Sequence, residues 1–105
     1  MKRKYESGHK QWIEFKGKAI LGEGRAQLLA EIRNSSSILK AAKKLSIPYR
    51  TAWEHLKRIE DAIGSPVVST HRGGPKGGGG TTLTAEGEEL LREYECYKRL
   101  LNSVA

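Results

Sequence analysis

The chain of 105 residues has one cysteine, Cys96. No internal disulfide can form, which fits a reducing compartment and leads us to expect a cytoplasmic, nucleoid-associated protein. Long apolar runs are lacking too. Met1-Lys2-Arg3-Lys4-Tyr5 is basic, but no hydrophobic stretch follows it, so neither a signal peptide nor a membrane span is expected. His9, His55 and His71 have no metal-ligand spacing with Cys96, and no metal or other cofactor is expected. Serines and histidines are too scattered to suggest a nucleophile with its base, so the chain reads as a non-enzyme. No internal repeat is visible, and the length suits one domain that buries roughly two thirds of its extended surface.

Acidic residues are scarce over most of the chain. Residues 1–84 hold 16 Lys/Arg against 7 Asp/Glu, whereas residues 85–105 hold 3 against 5. The net charge is +7 and the pI about 9.7. A basic surplus favours polyanions, because neutralised phosphates release counterions. The acidic last segment is poorly suited to lie along them. Glu86, Glu88, Glu89 and Glu93 there complement the dipole at a helix start.

Against these absences stands a surplus of glycine. Six lie close together, at 73, 74, 77, 78, 79 and 80. A phosphate-binding P-loop needs Gly-x-x-x-x-Gly-Lys-Ser/Thr. Here Lys76 precedes the glycine run and Thr81 follows a glycine, so that fingerprint fails. A hairpin tip fits better. Strand-like Val67 to Arg72 leads in, Thr81-Thr82-Leu83 leads out, and glycines let backbone approach a nucleic acid closely.

The segment before it reads as helix, turn, helix. Ser37 is an N-cap candidate for a helix from Ile38 to Leu45, with Ile38, Ala42 and Leu45 on one side. Alanines 41 and 42 let another helix come close. Ser46-Ile47-Pro48 turns the chain, and Pro48 suits a helix opening. The next helix spans Tyr49 to Ile63, with Ala52, Leu56, Ile59 and Ile63 as its buried stripe and Gly64 as its stop. Trp53, at the margin of that stripe, is expected in the core. Upstream, Trp12, Ile13 and Phe15 suggest a short strand, Lys18 to Leu21 a second, and Arg25 to Arg33 a helix buried through Leu28, Leu29 and Ile32. Residues 1–10 are polar and expected to fray. Thr84 caps a last helix reaching Asn102, with Gly87 an imperfection near its start.

The fold expected is mainly α with a small β-hairpin wing: a winged helix-turn-helix over 11–84, with a long C-terminal helix over 85–105. A major groove admits one α-helix, and the second helix of such a pair is the one offered to it. Tyr49, Arg50, Thr51, Glu54 and Lys57 lie off the buried stripe and are the candidate groove contacts. Lys40, Lys43 and Lys44 on the preceding helix are candidate phosphate contacts, which position without specifying. His71, Arg72 and Lys76 are candidate wing contacts. Leu83, Leu90, Tyr94, Tyr97, Leu101 and Val104 are spaced 7, 4, 3, 4 and 3, an a/d seam continuous from Leu90. From Leu90 through Val104 it is the candidate dimer interface, while Leu91 and Leu100 can cover the domain's own core from a second face.

With these residues in place, the chain resembles the N-terminal DNA-binding domain of ModE-type molybdate-responsive transcription regulators. It is more distantly similar to LysR-type winged domains. The matching pieces are Gly24-Arg25-x-x-Leu28-Leu29-x-x-Ile32, Ala41-Ala42-x-x-Leu45, Tyr49-Arg50-x-Ala52-Trp53 and the wing Gly73-Gly74-x-x-Gly77-Gly78-Gly79-Gly80-x-x-Leu83-Thr84-x-x-Gly87. The resemblance implies that Tyr49, Arg50 and Thr51 open the recognition helix, that Arg72 and Lys76 belong to the wing, and that Thr84 to Asn102 dimerises. ModE regulators carry C-terminal molybdate-binding modules and this chain ends at Ala105, so oxyanion sensing is expected of a separate effector-sensing protein, if of any. The function expected is a prokaryotic, homodimeric, sequence-specific regulator of transcription that binds double-stranded DNA. The competing class is a winged-helix module that docks another protein, its basic charge being incidental.

Overall fold

In the computed structural model, residues 12–71 and 80–104 are described. The chain runs through a first hairpin, three helices, a second hairpin and a long last helix. Strands β1 (Ile13–Phe15) and β2 (Lys18–Leu21) pair antiparallel, with Phe15 opposite Lys18. The two residues between them, Lys16 and Gly17, both have positive φ (51° and 80°). That combination matches the right-handed strand twist in a two-residue hairpin.

Helix α1 (Glu23–Ser35) extends two residues beyond the expected span at each end, and buries Ala26, Leu28, Leu29 and Ile32. Ser36 closes it in the left-handed region, its N–H donating to the Ile32 carbonyl. Helix α2 (Ile38–Lys44) opens on Ser37, whose Oγ accepts from the Lys40 N–H at 3.1 Å. That bond satisfies one of the donors a helix start leaves orphaned. The turn follows at Ser46, with φ 57°, and the Ile47 N–H returns to the Ala42 carbonyl at 3.0 Å. Pro48 is extended and starts α3 (Tyr49–Ile63), which Gly64 ends at φ 75°. Both bounds of α3 are those expected from its apolar stripe.

Strands β3 (Val68–His71) and β4 (Gly80–Leu83) form the wing, with Val68 opposite Leu83 and His71 opposite Gly80. Strand β4 is fastened to the rest of the fold. The Thr81 N–H donates to the Ser36 carbonyl at 2.9 Å, and a Cβ on Gly80 would lie only 2.9 Å from that same oxygen.

Helix α4 (Ala85–Val104) begins on Thr84, whose hydroxyl donates to the Pro66 carbonyl at 2.7 Å and accepts from the Gly87 N–H at 3.1 Å. Gly87 is no imperfection. A Cβ there would collide with the Val67 carbonyl, so only glycine lets α4 leave the wing at this angle.

One core binds these parts. Leu21, Leu28, Leu29, Ile32, Leu56, Ile59, Val67 and Leu91 are fully buried in it, and Leu90 and Tyr94 join them. Burying each such side chain contributes about 1.5–3 kcal/mol before entropy is counted. The core therefore runs past residue 84 into the first half of α4.

Candidate nucleic-acid interface

Helices α2 and α3 both turn small side chains into the core. Ala41, Ala42 and Ala52 are buried, and their size lets the helix backbones approach. Packing so close holds the side chains on the outer faces in fixed relation. Those outer side chains are largely the expected ones. Lys40, Lys43, Lys44, Tyr49, Arg50, Glu54 and Lys57 are exposed, and Thr51 is half-buried. Lys44 approaches Glu31 at 3.7 Å and Lys57 approaches Asp61 at 4.0 Å, both loose surface contacts. Among the described residues, Lys40, Lys43 and Arg50 make no ion pair. His71 is exposed on the wing, its Nε2 3.2 Å from Thr82 Oγ1. Arg72 and Lys76 lie outside the described residues.

Trp53 departs from the sequence expectation. It is 36% exposed rather than in the core, and its ring stands nearly perpendicular to that of Tyr49, at a centroid distance of 6.2 Å. The stripe of Ala52, Leu56 and Ile59 fills the interior, and Trp53, one helical step aside, is left at the surface.

Three residues that tie α3 to its neighbours are not legible in the sequence. Arg25 Nε donates to His55 Nδ1 at 3.3 Å, and its Nη1 donates to the Ile20 carbonyl at 3.2 Å. One guanidinium thus ties α1, β2 and α3 together. Burial, with the positive charges of Arg25 and Arg58 beside it, holds the His55 imidazole below the usual histidine range. The neutral ring is what the contact requires, since Nδ1 must accept. Glu60 Oε2 accepts from the Val67 and Val68 N–H groups at 2.8 and 3.4 Å, which ties the wing's base to α3. Arg25 and His55 are 30 residues apart and fall in no local pattern.

The candidate dimer seam needs correction. Leu90 and Tyr94 are 7% and 3% exposed, buried in the chain's own core. The Tyr94 hydroxyl donates to Glu23 Oε2, and Lys98 Nζ lies 3.0 Å from Glu23 Oε1. Burial and the Glu23 carboxylate push the Tyr94 phenol up to about 12, while the bonds from Tyr94 and Lys98 hold the Glu23 carboxyl below the usual carboxylate range. Arg33 meets Glu95 through two contacts of 3.3 Å. The middle of α4, from Tyr94 to Lys98, is therefore tied to α1. Tyr97 and Leu100 are 51% and 55% exposed, so Leu100 does not cover the core. Nothing is described of the Leu101 and Val104 side chains.

Among the described residues no helix is long and apolar enough to cross a membrane. No group of three or more His, Cys, Asp or Glu there is placed to hold a metal ion.

Comparison with known proteins agrees with this geometry. Residues 25–88 match the family described as bacterial regulatory helix-turn-helix protein, lysR family. The chain is 40% identical over 75 residues to the transcriptional regulator ModE of Haemophilus influenzae, covering 71% of this chain and 29% of that protein. It is 38% identical over 76 residues to the molybdenum-pterin-binding protein MopB of Rhodobacter capsulatus, covering 72% and 28%. With the DNA-binding transcriptional dual regulator ModE of Escherichia coli K12 it shares 32% over 88 residues, covering 84% and 33%. The chain thus spans about a third or less of the length of the curated relatives it matches.

Proposed function

The chain belongs to the lysR family of bacterial regulatory helix-turn-helix proteins, and on that premise we propose that it binds duplex DNA as a regulator of transcription. The observation that carries this reading is a set of exposed cations on the two helices that flank the α2–α3 turn, Lys40 and Lys43 on α2 and Arg50 on the first turn of α3, which make no ion pair among the described residues. A helix entering the major groove presents its first turns to base edges, and the helix before it crosses the phosphates. In this reading Tyr49, Arg50, Thr51, Glu54 and Lys57 face the groove, with Arg50 suited to a guanine edge and Glu54 to a cytosine amino group. Lys40, Lys43 and Lys44 lie on phosphates. His71, together with Arg72 and Lys76, reaches the flanking DNA from the wing.

Dimerisation is part of the proposal, on a narrower surface than the spacing suggested. Leu90 and Tyr94 are committed to the core, so the partner contact falls on the distal half of α4, at Tyr97 and Leu100. Pairing through α4 brings two α3 helices to half-sites about one DNA turn, or a small multiple, apart. The two regulators named ModE support the regulatory role. The molybdenum-pterin binding in MopB's name is said of a protein of which this chain matches 28%, and is no part of the proposal.

Titration with duplex DNA at rising salt tests the reading. The expected result is a linear fall of log affinity with log salt, and enrichment of one sequence in selection from a random pool. Binding too weak to detect at low salt, with capture of a protein partner instead, would favour the interaction-module alternative.

A further inference from the structure

The Tyr49–Trp53 pair has no place in the core, and the reading above gives Trp53 no role. Two large aromatic rings, 47% and 36% exposed, stand on the first two turns of the helix proposed to enter DNA. Soluble domains seldom leave two adjoining aromatics bare without a partner for them. Their place on α3 is defined. Trp53 is four residues on from Tyr49, so the two share one flank of the helix. Glu60, seven residues beyond Trp53, lies on that same flank and binds the N–H groups at the base of the wing. The rings therefore lie on the same flank of α3 as Glu60, while Arg50 and Lys57 continue around the exposed face.

We infer that Tyr49 and Trp53 form an apolar wall that packs on the 5-methyl group of thymine, making this chain selective for an A·T pair at a fixed place in its site. The inference rests on the DNA-binding reading and adds to it a specificity element. The exposed cations Arg50 on α3 and Lys40 and Lys43 on α2 favour a polyanion as the partner of this part of the fold. Within the major groove, base edges offer hydrogen-bonding atoms at almost every position, and the thymine methyl is the apolar group among them. Two rings set edge to face, with the indole held by its neighbour, present a preformed apolar surface with little rotamer entropy left to lose.

The test replaces thymine by deoxyuridine, which removes that methyl alone. A site selected from a random pool is resynthesised with each thymine exchanged in turn, and affinities are measured for the unmutated chain, Trp53→Ala and Tyr49→Ala. The unmutated chain is expected to lose about fourfold or more at one or two thymines, the worth of one buried carbon group. The Trp53→Ala chain is expected to bind the thymine and deoxyuridine forms of those positions alike. The ratio is taken within one preparation, so an unfolded fraction in a variant cancels. Equal affinity for thymine and deoxyuridine at every position, or a ratio unchanged in Trp53→Ala, would overturn the assignment while salt-dependent DNA binding stands. Absence of any duplex binding by the unmutated chain would overturn both.

Discussion

Helices α3 and α4 are both amphipathic and both carry apolar residues at regular helical spacing, yet they spend them differently. In α3 the buried stripe of Ala52, Leu56 and Ile59 runs along the middle of the helix, and the opposite face stays open from the first turn. In α4 the burial is concentrated at one end. Gly87, Leu90, Leu91 and Tyr94 are buried, whereas every described side chain from Cys96 to Leu100 is exposed. Periodicity alone does not say what covers a stripe. A helix pinned along its length offers one outer face to a partner. A helix buried at one end offers its exposed half.

The sharpest way to break this comparison is to truncate buried leucines on each helix. Leu56→Ala in α3 and Leu91→Ala in α4 should each cost about 2–5 kcal/mol in urea unfolding, since both side chains are fully buried. Leu100→Ala, on the exposed half of α4, should stay within about 0.5 kcal/mol. Equal losses at Leu91 and Leu100 would mean that α4 is not divided as described.

The exposed half can then be probed for a mate. Tyr97→Glu with Leu100→Glu should leave the fold stable and yield a monomer in sedimentation at micromolar concentration, with weaker binding to a two-fold site. A dimer that survives the double change would place the contact elsewhere. Tyr94→Glu is the wrong probe, because it puts a carboxylate at a position buried in the core and next to the Glu23 carboxylate.

A smaller effect sharpens the α3 side. Below about pH 6.5 the unfolded chain protonates its histidines, while folded His55 resists through its burial and the charges of Arg25 and Arg58. The folded state then binds fewer protons, so stability is full above that pH and declines as pH falls through it. Urea midpoints at pH 7.5 and 5.5 should fall further apart in the unmutated chain than in His55→Gln. An equal fall in both would show that the Arg25–His55 contact carries no proton linkage.

Much of the fold is legible in the sequence because the signals are local. Ser37 and Gly64 mark the start of α2 and the end of α3 by chemistry that acts within one turn. What is not legible depends on distant partners. Gly87 reads as a weak helix residue until Val67 is seen against it. Trp53 reads as core because it is large and adjoins the stripe, but Ala52, Leu56 and Ile59 already fill the interior. Leu90 and Tyr94 keep heptad spacing whether their partner is a second chain or α1. The clamp of Arg25 on His55 spans 30 residues and has no pattern to find. Among the candidate interface residues, the exposed cations of α2 and α3 were the readable part, since charge placed off an apolar stripe must face outward.

The central claim is that the open face of α3 reads DNA, and Arg50 tests it most directly. Its side chain is exposed on the first turn of α3 and makes no ion pair among the described residues. Affinities of the unmutated chain and Arg50→Ala should be measured on a selected site and on random duplex at one salt concentration. The expected result is a loss of about 1–3 kcal/mol on the selected site and a smaller one on random duplex. Unchanged affinity for both would contradict the claim.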